Sequence, residues 1–217
     1  MTAPARMGPA PDAASTGLVL LHGRGGSAAD ILGLARALEV AGLAAVAPEA
    51  AGNSWWPVSF LAAHDTLAPH LDAGLAAVEG AVAQLEAEGL ARSRIAVAGF
   101  SQGGCLALEY AARSGGGLLG AAGLSSGLVG TGDTGDAAEE ALYGHAPKAF
   151  DYAPLAPPFP VLITCHERDP HIPLRRVRET EEAFTAMGAD VRSLIHPGAG
   201  HGVLADDVAA LRALLAG

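Results

Sequence analysis

From Gly17 onward, short apolar runs alternate with longer segments of helical periodicity, and no other feature constrains the fold as tightly. A chain that leaves one strand and returns to a parallel neighbour needs a helix-length crossover. The alternation therefore predicts βαβ units: a mostly parallel sheet with helices on both faces. Six strands are expected: LVLL at 18–21, LAAVA at 43–47, RIAVA at 94–98, LLGAAGL at 118–124, VLITC at 161–165 and VRSLI at 191–195. Between the first two, Ser27 with Asp30 three residues on forms a helix-start box, followed by Ile31, Leu34 and Leu38 at helical spacing, with Gly42 ending the helix. Leu71, Leu75, Val78, Val82 and Leu85 mark a long crossover helix over 68–88, closed by Gly89. Further helices follow Ser101, span 173–189 with Val177, Phe184 and Met187 inward, and close the chain after Gly202. A single compact domain over 17–217 results. Residues 1–16, rich in Ala and Pro, read as a flexible leader or edge segment, and the Gly- and Pro-punctuated stretch 126–160 is long enough to act as a lid.

Composition removes several function classes. With half of its 217 residues apolar, the chain can bury a sizeable core, about 70% of its unfolded surface. A net charge of -10 without any basic cluster argues against nucleic-acid partners and anionic lipid surfaces. No apolar run is long enough for a membrane span, and the first residues lack the apolar core of a secretory signal. Two cysteines, Cys105 and Cys165, lie inside apolar segments and suit a reducing cytoplasm as small hydrophobes. An exposed edge strand would allow a homodimer.

The chemistry concentrates where strands end. GFSQGG at 99–104 places Ser101 between glycines at a strand-to-helix turn, too tight for side chains two positions before and after the serine. Such a turn exposes the hydroxyl above the sheet's carboxyl edge, at the positive end of the following helix. The alternative is a serine that merely caps the helix. A nucleophilic serine needs a base, an orienting acid and an oxyanion hole. VLITC is followed by HERDP and VRSLI by HPGAGHG, which puts Asp169 and His201 after neighbouring strands, on the edge where open α/β sheets build their sites. His196, at the strand end before Pro197, is the rival base. For the oxyanion hole, the backbone N–H of Gln102 and that of Arg24, in the glycine loop LVLLHGRGGSAAD, are the candidate donors. Read instead as a phosphate loop, those glycines lack the lysine and the full spacing of either nucleotide motif. Trp55, Trp56 and Phe60 in NSWWPVSF are candidates to wall an apolar acyl or aryl pocket, the alternative being simple core packing. His64–Asp65 and His166, Asp169 and His171 match no metal-ligand spacing, so no metal is expected.

LLHGRGG, GFSQGG, Asp169-Pro170-His171-Ile172-Pro173 and Gly200-His201 together resemble the phospholipase/carboxylesterase family of α/β-hydrolases, in family order from 18 to 217. The resemblance implies an α/β-hydrolase fold and a Ser101, Asp169, His201 triad. It also implies backbone amides of Arg24 and Gln102 as the hole, a small carboxyl-ester substrate, and no metal or cofactor. This chain departs from the family in having Glu167 where a glycine is usual, Ala199 where methionine is common, and Trp55-Trp56-Pro57 where the thioesterase branch has Trp-Phe-Asp. A thioesterase or lysophospholipase-like activity, or a non-catalytic ligand-binding protein on the same fold, is the alternative.

Overall fold

The computed structural model describes residues 4–132 and 147–217. Among the described residues seven strands form one sheet: β1 (Ala5–Met7), β2 (Thr16–Leu21), β3 (Leu43–Ala47), β4 (Ile95–Phe100), β5 (Gly120–Leu124), β6 (Pro160–Arg168) and β7 (Asp190–Ala199). Their order is β1-β3-β2-β4-β5-β6-β7, and every pair is parallel except β1 with β3. All six expected strands are in place. This is the α/β-hydrolase architecture in one compact domain.

The alternation of side chains along the strands explains why helices must cover both faces. Val19, Leu21, Ile95, Val97, Val161 and Ile163 project to one side. There α2 (His64–Ala87), α3 (Gln102–Ser114) and α4 (Leu174–Ala186) bury Leu71, Val78, Leu106, Val177 and Phe184. Leu18, Leu20, Ala96, Ala98 and Leu162 project to the other, beneath α1 (Ala28–Ala37) and α5 (Ala205–Ala216). A central strand buried on both faces has no polar side, which is why these runs read as continuously apolar. The expected Ser27–Asp30 box closes α1 at its start. Its inward stripe is Ala28, Leu32 and Ala35, followed by Leu38, whereas Ile31 and Leu34 sit partly buried at the rim, and the helix stops at Ala37 before Gly42 is reached.

Of the two readings of residues 1–16, a flexible leader or an edge segment, residues 5–7 take the second. Ala5–Met7 pairs antiparallel with β3, Arg6 opposite Val46, and covers what would otherwise be an open sheet edge. Arg6 forms a forked ion pair with Glu88, both bonds 2.6 Å, and Gly8 (φ +96°) lets the chain turn where a Cβ would lie 1.9 Å from the Leu43 carbonyl oxygen. Pro11 is buried and Thr16 already belongs to β2. Of the lid expected over 126–160, residues 133–146 lie outside the described residues; 126–131 run buried past the core.

Strand order positions the site. The chain passes from β2 outward to β3 and then returns to the other side of β2 as β4, so the loops after β2 and β4 diverge and leave a crevice at their carboxyl ends.

Candidate active site

Ser101 follows β4 directly and has φ +53°, ψ -121°, a region that L-residues avoid. A strained residue of this kind costs on the order of 1–3 kcal/mol and persists only where its surroundings over-determine it. Here they do. A Cβ on Gly99 would lie 2.3 Å from the Gly103 carbonyl oxygen, and one on Gly103 would lie 2.3 Å from that of Leu21, so the turn closes only with glycine at both places. The Ser101 N–H donates to the Leu124 carbonyl at 2.8 Å. Its hydroxyl is thereby turned out at the N-terminus of α3, where the first N–H groups, Gln102's among them, have no partner within the helix.

Asp169 follows β6 and His201 follows β7. His201 Nε2 lies 2.9 Å from Ser101 Oγ, and His201 Nδ1 lies 2.7 Å from Asp169 Oδ2. The other oxygen of Asp169 accepts the backbone N–H groups of His171 (2.8 Å) and Ile172 (3.0 Å), and the Cys165 thiol donates to Oδ2 at 3.7 Å. Burial alone would raise the Asp169 pKa; the His201 bond and the two amides outweigh it and hold the carboxyl below its usual range. An ionised Asp169 can only accept, so Nδ1 of His201 carries the proton and Nε2 is left to accept the Ser101 O–H. The result is a hydroxyl, an imidazole and a carboxylate in series, with the Asp169 side chain closed to solvent and that of His201 17% exposed on the cavity side.

In front of them opens a cavity of about 580 Å³, lined by Trp56, Pro57, Val58, Phe60, Phe100 and Ile172 together with Ser101, His171 and His201. Gly23 and Arg24 border it too, and a Cβ on Gly23 would lie 3.4 Å from that of Ser101, so the loop after β2 runs directly against the elbow.

A model of the dienelactone hydrolase family matches residues 5–212. The chain belongs to the dienelactone hydrolase family. Membership makes it a hydrolase of the α/β class. Among solved structures, a phospholipase/carboxylesterase from Dyadobacter fermentans is 33% identical, with 100% of this chain and 97% of that one covered and a TM-score of 0.87. A carboxylesterase from Mesorhizobium loti (22% identity, 99% and 94% covered, TM-score 0.73) and one from Bacillus cereus (17%, 98% and 92%, TM-score 0.72) share the fold. No curated protein matches the chain.

In this family member the structure brings together most of the residues singled out from the sequence, and one it turns away. Ser101, Asp169 and His201 meet, Arg24 and Gln102 flank them, and Trp56 and Phe60 wall the cavity. Trp55 does not line it. Its indole N–H donates to the His22 carbonyl at 2.9 Å and its ring packs on the His22 imidazole, 5.2 Å between centroids, because adjacent residues in an extended loop point to opposite sides. The rival base His196 is engaged elsewhere, bonded through Nε2 to buried Asp207 at 2.6 Å. His166 packs against Gly200, where a Cβ would lie 2.7 Å from its ring, and so underlies the His201 loop.

Three contributions escape the sequence. The Gln102 side chain clamps the tryptophan loop, accepting the Trp55 N–H at 2.9 Å and donating to the Trp56 carbonyl at 2.8 Å. Arg24 reaches the same loop from the other side, donating to the Pro57 carbonyl at 3.1 Å and to that of Val58. His22 bonds the Gly23 carbonyl through Nδ1 (2.8 Å) and accepts the Ala50 N–H at Nε2 (3.1 Å), pinning the loop after β2 to the one after β3. Gln102 and Arg24 were chosen for their backbone N–H groups, and His22 stands in the same loop as Arg24; nothing local announces what their side chains hold.

Proposed function

We propose that the protein is a carboxylesterase-type serine hydrolase that cleaves esters of small acyl or aryl groups through an acyl-enzyme, without metal or cofactor, in the cytoplasm. The observation that carries this reading is the series Ser101–His201–Asp169 opening onto an apolar cavity. His201 Nε2 takes the Ser101 proton as Oγ attacks the ester carbonyl carbon, and Asp169 stabilises the imidazolium that forms. The oxyanion of the tetrahedral adduct is received by the backbone N–H groups of Gln102 and Arg24, a pair of donors of which one alone is worth about 3 kcal/mol in such sites. Collapse of the adduct expels the alcohol, which receives the proton from His201. Water, deprotonated by the same Nε2, then attacks the acyl-serine carbonyl, and the acid leaves with Oγ reprotonated. Trp56, Phe60, Val58 and Ile172 hold the apolar part of the substrate. The names of the solved carboxylesterases support the choice of substrate class.

Turnover of p-nitrophenyl acetate and labelling by a fluorophosphonate test the reading together. Ser101→Ala should abolish labelling and lower kcat by about 10⁴-fold or more. Undiminished turnover by that variant would remove the assignment, and turnover absent from the unaltered protein with every ester and thioester tried would favour a binding protein.

A further inference from the structure

The Ser101–His201 bond joins segments 100 positions apart, and each lies in its own loop. Both loops are held at the end of β5, a strand that contributes no reacting group, by two consecutive residues. The Leu124 carbonyl accepts the Ser101 N–H at 2.8 Å. The Ser125 hydroxyl donates to the Gly202 carbonyl at 3.0 Å and accepts the Gly202 N–H at 3.3 Å, so it grips both peptide units of the residue that follows His201. A serine hydroxyl has one proton to give and lone pairs to accept with, so a single group can make both bonds.

Ser125 is wholly buried and has φ +48°, a left-handed conformation in which a non-glycine residue is held at a cost. Glycine would relieve that strain and cannot reach Gly202. We propose that Ser125 is a positioning residue for the esterase reaction: with Leu124 it forms a bracket that fixes the nucleophile and the base relative to each other. The other supports of the loop act elsewhere along it: His166 lies under Gly200, and Glu167 accepts the Gly198 N–H at 3.0 Å. Among the described residues, only Ser125 hydrogen-bonds the His201 loop to the strand end that also holds Ser101. The proposal rests on the serine-hydrolase reading, since a bracket for Ser101 and His201 matters only if they react together.

The test uses the full chain with Ser125→Gly, whose backbone suits the left-handed turn, and Ser125→Ala, which keeps the original strain. Concentrations of active sites are counted by stoichiometric fluorophosphonate labelling, so a poorly folding variant is still measured per competent site. A displacement of about 1 Å between reacting groups can cost on the order of 100-fold. Both variants are therefore expected to lose about 10- to 100-fold in kcat per labelled site with KM within about twofold. The low-field proton resonance of the His201–Asp169 bond should broaden as the loop loosens. Unchanged kcat per site, or a loss wholly accounted for by fewer competent sites, overturns the proposal while leaving the hydrolase reading intact. That reading fails separately, if Ser101→Ala still turns over ester.

Discussion

Asp169 owes its charge to two backbone amides and one imidazole, and that has a consequence measurable without any substrate. Its folded pKa is depressed, burial being outweighed by His201, His171 and Ile172. A depressed carboxyl stabilises the fold fully above its unfolded pKa, about 4, and loses that contribution as pH falls through the lower folded value. Urea denaturation of the unaltered protein and of Asp169→Asn should therefore show a stability gap at pH 7 that narrows below about pH 4; a gap independent of pH would mean that the carboxylate is not held as described. In turnover the same variant should lose about 10⁴-fold in kcat, because an amide in place of the carboxylate favours the wrong imidazole tautomer. Asp169 was legible because it follows a strand and precedes Pro170, as His201 was among glycines after the next strand. Ser125 was not, since its role is a contact with Gly202, 77 positions away, and nothing local announces it. For the same reason the tryptophans could be placed near the site while the side each ring faces could not: Trp55 is claimed by the His22 carbonyl, a partner only the fold supplies.

At the scale of elements, the elbow depends on how closely α3 approaches the end of β2. A Cβ at Gly103 would stand 2.3 Å from the Leu21 carbonyl oxygen and 2.5 Å from that of His22, both rigid backbone. Gly103→Ala should destabilise by more than about 2 kcal/mol, since neither partner can move without opening the sheet. Gly80, exposed in α2 with nothing within 4 Å of where a Cβ would stand, offers the control: Gly80→Ala should stabilise by about 0.5–1 kcal/mol. Denaturant midpoints of the two variants should move in opposite directions, and equal shifts would contradict the packing described. β2 to β6 were readable because burial on both faces leaves an unbroken apolar run, whereas β7, half-buried at the sheet edge, was readable from its Val191, Leu194 and Ile195. β1 was not, as Ala5-Arg6-Met7 has neither length nor periodicity, and it is ordered by the free edge of β3 and by Glu88 rather than by its own sequence. In α1 the periodicity located the helix correctly but not the stripe it buries: Leu32 and Ala35, a small residue with little weight in any apolar pattern, face the sheet in place of Ile31 and Leu34.

At the scale of the whole molecule, a charged cluster is embedded in the larger core. Glu109 in α3 is fully buried; it is met by Lys148 at 3.3 and 3.4 Å, Arg113 at 2.8 Å, the Tyr152 hydroxyl at 2.8 Å and the Val129 N–H at 3.0 Å. Burial would raise its pKa, but Lys148, Arg113, Tyr152 and Val129 together reverse that and hold the carboxyl ionised. The cluster binds α3 to the strand-end segment at 129 and to the chain at 148–152, three regions that share no secondary-structure bonds. Taking a carboxylate out of water is expensive, and its attraction to buried cations roughly balances that expense, so the intact pair adds little net stability while removal of one member leaves the other stranded. Glu109→Gln should therefore cost about 3–5 kcal/mol, as Lys148, only 8% exposed, is left without its counter-charge. Adding Lys148→Met to Glu109→Gln should return a large part of that loss, because the second change removes the uncompensated cation and puts an apolar chain of similar length in its place. Thermal or urea unfolding of the two single variants and the double one closes the cycle. Strict additivity would show that the two charges are not coupled, and would leave the buried carboxylate to be explained by its bonds to Tyr152, Arg113 and the Val129 amide alone.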